Sequence, residues 1–78
     1  MNDTHKLAQM NLPTLIQSRA ASHLERIARA ADNPSRMLAG ERAAGFVEGL
    51  EAARALTPAT IEALFLIFDD ATESNPAR

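Results

Sequence analysis

The 78-residue sequence contains no cysteine, tryptophan or tyrosine, and it has a single valine. The absence of cysteine excludes disulfides, thiolate nucleophiles and Cys-ligated zinc sites. Because strands favour β-branched and aromatic residues, their scarcity argues against a β fold. Alanine and leucine dominate instead, with 16 Ala and nine Leu, and both residues favour helices. The composition therefore predicts an all-α protein.

Long hydrophobic runs are also missing. The longest run of large apolar residues extends from Leu64 to Phe68, far short of the roughly 18–20 residues that span a bilayer. A strand is the competing interpretation of that run, but its three/four spacing favours a helix. The first six residues, MNDTHK, contain no basic segment followed by an apolar stretch, as a signal peptide would. We therefore expect a cytoplasmic protein with no membrane partner.

Apolar residues at spacings of three and four predict three helices within a single domain at residues 11–72. Residues 1–10 are expected to form a flexible N-terminal arm, and residues 73–78 a disordered tail. The first helix is predicted at about 13–31, the second at about 34–55 and the third at about 58–71.

Cap residues mark the predicted helix starts. Asn33 is the predicted N-cap of the second helix and Thr57 that of the third, and each precedes a proline suited to the first turn. The connection between these two helices is short. They are therefore expected to form an antiparallel hairpin, with the first helix laid across it.

Glycines recur inside the second predicted helix. Gly40, Gly45 and Gly49 each cost roughly 1 kcal/mol there relative to alanine. Because Gly45 and Gly49 lie four residues apart on one face, they predict close packing of another backbone. A groove for a ligand or a partner helix is the alternative interpretation.

Self-association follows from the size of the chain and from the third predicted helix, which is apolar nearly all round. A chain this small, without metals or disulfides, is of marginal stability as a monomer. A helix buried on more than one side needs more cover than so few other residues provide. We therefore expect a homodimer. Its predicted interface consists of Phe46, Leu50, Phe65, Leu66, Ile67 and Phe68.

No set of residues indicates catalysis. The two histidines, His5 and His23, lie on different segments, and no third or fourth metal ligand accompanies them at a suitable spacing. His23 is interpreted as a partly buried or surface helix residue. Asp69, Asp70 and Glu73 are interpreted as a solvated helix end, with an acidic docking patch as the alternative. The sequence therefore predicts no catalytic residue, no metal, no cofactor and no enzyme.

Charge is unevenly distributed between the two halves of the chain. Residues 1–39 contain five Lys or Arg and three Asp or Glu, a net charge of +2. Residues 40–78 contain three Lys or Arg and seven Asp or Glu, a net charge of −4. Arginine forks suit phosphates and carboxylates equally. The arginines on and just after the first predicted helix are therefore open to three interpretations: a nucleic-acid surface, a solvated helix surface, or a surface that meets the acidic hairpin of a second subunit. These arginines are Arg19, Arg26, Arg29 and Arg36.

The segment GERAAGFVEGL at residues 40–50, followed by Leu56-Thr57-Pro58, resembles short helical hairpins in phage and plasmid proteins of high-GC bacteria. This resemblance implies a small accessory protein that acts on a host macromolecule. The leading hypothesis is a non-catalytic protein–protein interaction module: a small adaptor, inhibitor or regulator. The alternative is a small dimeric nucleic-acid-binding regulator that uses the arginine-rich face of its first helix.

Overall fold

The computed structural model describes residues 3–73, and within that range the chain forms four α-helices and no strand. The predicted all-α class is therefore confirmed. The predicted disordered tail lies almost entirely outside the described residues, since only Glu73 of it is included. The helices are α1 (Asp3–Ala8), α2 (Thr14–Arg29), α3 (Asn33–Ala52) and α4 (Pro58–Glu73).

The short helix α1 was not predicted, so the expected count of three helices is wrong. Its segment was expected to form a loose arm, yet it packs against both α2 and α4. Leu7 is only 1% exposed and belongs to the hydrophobic core. A six-residue helix is not stable alone in water. Burial of Leu7 between the longer helices therefore stabilises α1.

Helix α2 has the amphipathic pattern expected of it, with Ala20, Leu24 and Ile27 on its buried side. It begins one residue later than predicted, because Pro13 occupies the N-cap position rather than the first turn. It also ends two residues earlier. The backbone of Ala30 turns to an extended conformation, with φ −60° and ψ 132°, and this ends the helix.

The N-cap of α3 is Asp32, not Asn33 as predicted. The backbone N–H of Ser35 donates to Asp32 Oδ1 over 2.8 Å, and this bond lowers the pKa of the Asp32 carboxyl. Asn33 lies in the first turn, where its side-chain oxygen accepts a hydrogen bond from the Arg36 guanidinium. Two acceptor side chains stand side by side here. Asp32 precedes the helix, so its side chain can accept from the Ser35 N–H, which has no partner within the helix.

Helix α3 ends at Ala52, three residues before the predicted end, in a Schellman motif. The N–H of Ala55 donates to the carbonyl of Leu50 over 3.0 Å, and the N–H of Arg54 donates to that of Glu51 over 3.0 Å. This geometry places Arg54 in the left-handed region, with φ 56°. Glycine usually occupies that position, which explains why the sequence pattern did not reveal the end of the helix.

Helix α4 begins as predicted, with Thr57 as its cap and Pro58 as its first residue. The backbone N–H of Thr60 donates to Thr57 Oγ1 over 3.2 Å. Helix α3 packs most extensively against α4 and α2. The core between the helices consists of Leu7, Ala20, Leu24, Ile27, Ala43, Val47, Ile61, Leu64, Ile67 and Phe68.

Candidate interaction surfaces

Most of the predicted dimer interface lies inside the single chain. Phe68 and Ile67 are 2% and 7% exposed and belong to the core. Phe46, Leu50 and Phe65 are partly buried and pack against it. The prediction is corrected for Phe68 and Ile67, because the unforeseen α1 together with α2 and α3 covers these sides of α4.

Leu66 is the member of that set that faces solvent, with 61% of its surface exposed. It borders a groove of about 350 Å³ between α1 and α4, whose other lining residues are Lys6, Met10, Ala63 and Ile67. Sequence reasoning missed Lys6, Met10 and Ala63. The three-residue spacing of Leu7 and Met10 was the available signal that the segment before α2 packs on one side.

The outward side of α4 beside this groove is acidic. Its four carboxylates are exposed, and the helix contains no lysine or arginine. We call this surface the acidic face; it consists of Glu62, Leu66, Asp69, Asp70 and Glu73.

One end of the groove contains two carboxylates and one ammonium group. Lys6 Nζ lies 3.8 Å from Asp70 Oδ2 and 3.8 Å from Asp3 Oδ1. Burial raises the pKa of Asp3, and the nearby Asp70 raises it further, whereas Lys6 acts in the opposite direction. Asp3 Oδ1 is buried without a hydrogen-bond partner. Lys6 therefore adds an ion pair to the packing of α1 against α4.

The outward side of α2 is basic. Arg19, Arg26 and Arg29 are exposed there, and Arg29 Nη2 forms an ion pair with Glu25 Oε2 at 3.3 Å. Leu15, 65% exposed, lies at the start of the same side. We call this surface the basic face; it consists of Leu15, Arg19, Ser22, Arg26 and Arg29.

Arg36 does not belong to the basic face, which corrects the prediction for this residue. It is 6% exposed, and its guanidinium donates to Asn33 of its own helix. Arg36 precedes the buried Ala43 and Val47 by seven and eleven residues. These spacings place all three residues on the inward side of α3.

The glycines of α3 differ in their surroundings. Nothing lies within 4 Å of a Cβ placed at Gly45 or Gly49, whereas a Cβ at Gly40 would overlap the side chain of Thr72. The predicted close packing at Gly45 and Gly49 is therefore wrong within this chain. Met37 and Leu38, at 56% and 50% exposure, are also open to solvent on α3.

His23 is half-buried on α2, as predicted, and stacks on an aromatic ring of α3. Its ring centroid lies 4.9 Å from that of Phe46, with an interplanar angle of 30°, and 6.4 Å from that of Phe68. Its Nδ1 is buried without a hydrogen-bond partner. Burial, and secondarily the charge of Arg26, lower the pKa of His23, so the site favours the neutral imidazole.

A second cleft, of about 370 Å³, lies where the α1–α2 connection meets the α3–α4 connection. Asn11 and Arg54, both with φ 56°, line it together with Leu56 and Thr57. Across residues 3–73, no three His, Asp or Glu side chains are grouped closely enough to hold a metal ion. No helix in that range has the length and apolar character needed to cross a membrane. The chain matches no known protein-family model, no curated protein and no solved structure.

Proposed function

We propose that this chain is a non-catalytic, cytoplasmic protein–protein interaction module: a small adaptor, inhibitor or regulator that acts as a homodimer. The observation that carries the proposal is Leu66, which is 61% exposed at the edge of an apolar groove. Complete burial of a leucine side chain contributes about 1.5–3 kcal/mol. An exposed leucine beside a groove therefore has the character of an anchor residue in an interface.

The surroundings of Leu66 indicate the chemistry of the partner. Glu62, Asp69 and Asp70 lie around it on α4, so a basic partner would be attracted and an acidic one repelled. A helix that presents an apolar side chain flanked by Arg or Lys fits this surface. Such a helix would place its apolar side chain between Leu66 and Met10 and its charges against the acidic face.

The proposal includes an antiparallel hairpin of α3 and α4. The two helices are joined by residues 53–57, a length typical of such hairpins. They also pack extensively against each other. In this arrangement the hairpin forms a rigid support for Leu66, and α1 forms the opposite wall of the groove.

The test is capture of binding proteins from host lysate by the tagged chain and by two matched variants, Leu66→Lys and Leu38→Lys. Both positions are exposed leucines on long helices, so the two substitutions differ mainly in location. We expect one protein at near-stoichiometric amount with the wild type and with Leu38→Lys, and its loss with Leu66→Lys. Capture that does not change with Leu66→Lys would overturn the assignment of this groove.

The alternative function is a small dimeric nucleic-acid-binding regulator, favoured by one observation: Arg19, Arg26 and Arg29 are all exposed on one side of α2. Affinity for phosphates falls steeply with salt, because binding releases counterions. A nuclease-treated half of the same lysate separates the two functions. Enrichment that disappears with nuclease would establish the alternative and overturn the protein-binding proposal.

A further inference from the structure

We infer that the acidic face of α4 in one copy of this chain binds the basic face of α2 in a second copy. The inference rests on the self-association included in the proposed function and specifies which surfaces make the contact. Helix α4 carries four exposed carboxylates and no basic residue. Helix α2 carries three exposed arginines and one glutamate. The two surfaces are opposite in sign.

The two faces also match in length and in the spacing of their residues. Both helices are 16 residues long. The basic face repeats at spacings of four and three, opposite the buried Ala20, Leu24 and Ile27. The acidic face repeats in the same way, opposite the buried Leu64 and Phe68. Each face therefore runs along its helix and can lie against the other over several turns.

Each face also has one large apolar side chain among its charges. Leu15 is 65% exposed on the basic face, and Leu66 is 61% exposed on the acidic face. Charge pairs alone contribute little on an open surface. Burial of the two leucines supplies apolar contact in addition to the charge pairs.

Most of these charges have no ion-pair partner among residues 3–73. Two ion pairs involve the faces in residues 3–73: Arg29 with Glu25, and Lys6 with Asp70. No ion pair within that range involves Arg19, Arg26, Glu62, Asp69 or Glu73. Arginine and carboxylate side chains can pair through two parallel hydrogen bonds, and a second copy provides the missing partner for each sign.

Like-on-like pairing is excluded by the same charges. Two copies of the acidic face would bring four carboxylates against four, and two basic faces would bring guanidinium groups together. Juxtaposed like charges oppose association. Between two identical chains, the favourable contact is therefore α2 of one copy on α4 of the other.

The test is a charge-reversal experiment on the full chain, followed by sedimentation velocity at tens of micromolar in about 0.1 M and about 1 M salt. One variant, Arg19→Glu/Arg26→Glu, reverses the basic face. The other, Glu62→Arg/Asp69→Arg, reverses the acidic face and leaves Asp70 with Lys6. Glu41→Arg/Glu48→Arg, which alters two exposed carboxylates of α3, is the matched control.

We expect the wild type and the α3 control to dimerise with similar affinity, more weakly at high salt. Each reversed variant alone should show a dissociation constant raised by about tenfold or more. An equimolar mixture of the two reversed variants should associate again, because each supplies the charge that the other lacks. Helicity from circular dichroism checks folding. Arg19→Gln/Arg26→Gln replaces the basic-face variant if that variant does not fold; it should also weaken dimerisation, though less, because it removes attraction without adding repulsion.

Three results would overturn the inference: a wild type that stays monomeric, reversed variants that dimerise like the wild type, or a mixture that does not associate. If the α3 control alone loses dimerisation, the contact between copies lies on α3 instead. Failure here is distinguishable from failure of the proposed function. The second copy and the partner both use Leu66 and the acidic face and so compete for one surface, but capture of a partner from lysate is measured separately and does not require α2 to bind α4.

Discussion

The side chain of Thr72 occupies the space into which a side chain at Gly40 would project. Thr72 Oγ1 donates to the carbonyl of Phe68 over 2.7 Å, so the threonine side chain is held in place by its own helix. Helices α3 and α4 therefore approach closely near this point, and Gly40 is the residue that permits the approach.

This contact predicts opposite effects for the same substitution along α3. Gly40→Ala should destabilise the protein by about 1 kcal/mol or more, because the overlap with Thr72 exceeds the gain in helix propensity. Gly45→Ala and Gly49→Ala should each stabilise it by about 0.5–1 kcal/mol, since both positions are open. Urea unfolding of the three variants measures these differences. Equal effects at Gly40 and Gly45 would contradict the close approach.

Arg54 adopts a left-handed conformation, with φ 56°, at the end of α3. Residues other than Gly and Asn are strained in this conformation. Arg54→Gly should therefore raise the free energy of unfolding by about 0.5–1 kcal/mol. Arg42→Gly, at an exposed position inside the same helix, should lower it by about 1 kcal/mol. The two variants are compared by thermal unfolding. A decrease for Arg54→Gly would argue against the Schellman motif.

The lowered pKa of His23 predicts a pH-dependent stability. The unfolded chain binds the proton more readily than the folded chain, whose His23 is buried beside Arg26. This contribution to the free energy of unfolding is fully present above the unfolded pKa of about 6.5 and is lost as the pH falls below that value and through the lower folded pKa. His23→Phe keeps a stacking ring against Phe46, so it should flatten the slope of unfolding free energy between about pH 8 and pH 5. An unchanged slope would rule out His23 as the source.

Leu7 tests whether α1 is held by the core. Leu7→Ala should destabilise the protein by about 2 kcal/mol, the low end of the range for buried leucines, because α1 can detach instead of leaving a cavity. Amide hydrogen exchange in residues 3–8 should accelerate at the same time. Leu38→Ala, at a half-exposed site, should change stability by less than about 0.5 kcal/mol. Unchanged exchange in α1 would show that Leu7 does not anchor it.

Periodicity predicted the three long helices to within about three residues at each end. It worked because α2 and α4 have clear apolar sides and because Thr57 and Pro58 form a local start signal. The errors arose where the outcome depended on geometry between neighbours. Asp32 and Asn33 are equally good caps by composition, and their backbone placement selected Asp32. The end of α3 was missed because arginine replaces the usual glycine.

For the candidate surfaces, too, the sequence predicted some features and missed those that depend on packing between helices. The sequence indicated that Arg19, Arg26 and Arg29 share one side of a helix, and each is exposed. It could not indicate that Arg36 faces inward, because arginine is rarely buried and the side on which it lies depends on where α3 packs. It also could not assign Ile67 and Phe68 to the core, since that assignment depends on which helices cover α4.

By itself, then, the sequence determined the helical class and the location of the long helices, because composition, spacing and cap residues act within a few positions along the chain. It also determined the opposite charges of α2 and α4. Only the tertiary structure decided that residues 3–8 become a helix and that α3 and α4 approach closely at Gly40 rather than at Gly45. It also decided that Leu66 is the one residue of the predicted dimer interface that is largely exposed to solvent. These outcomes depend on contacts between residues far apart in the sequence. Burial depends on all the helices that surround a residue, and no local pattern contains that information.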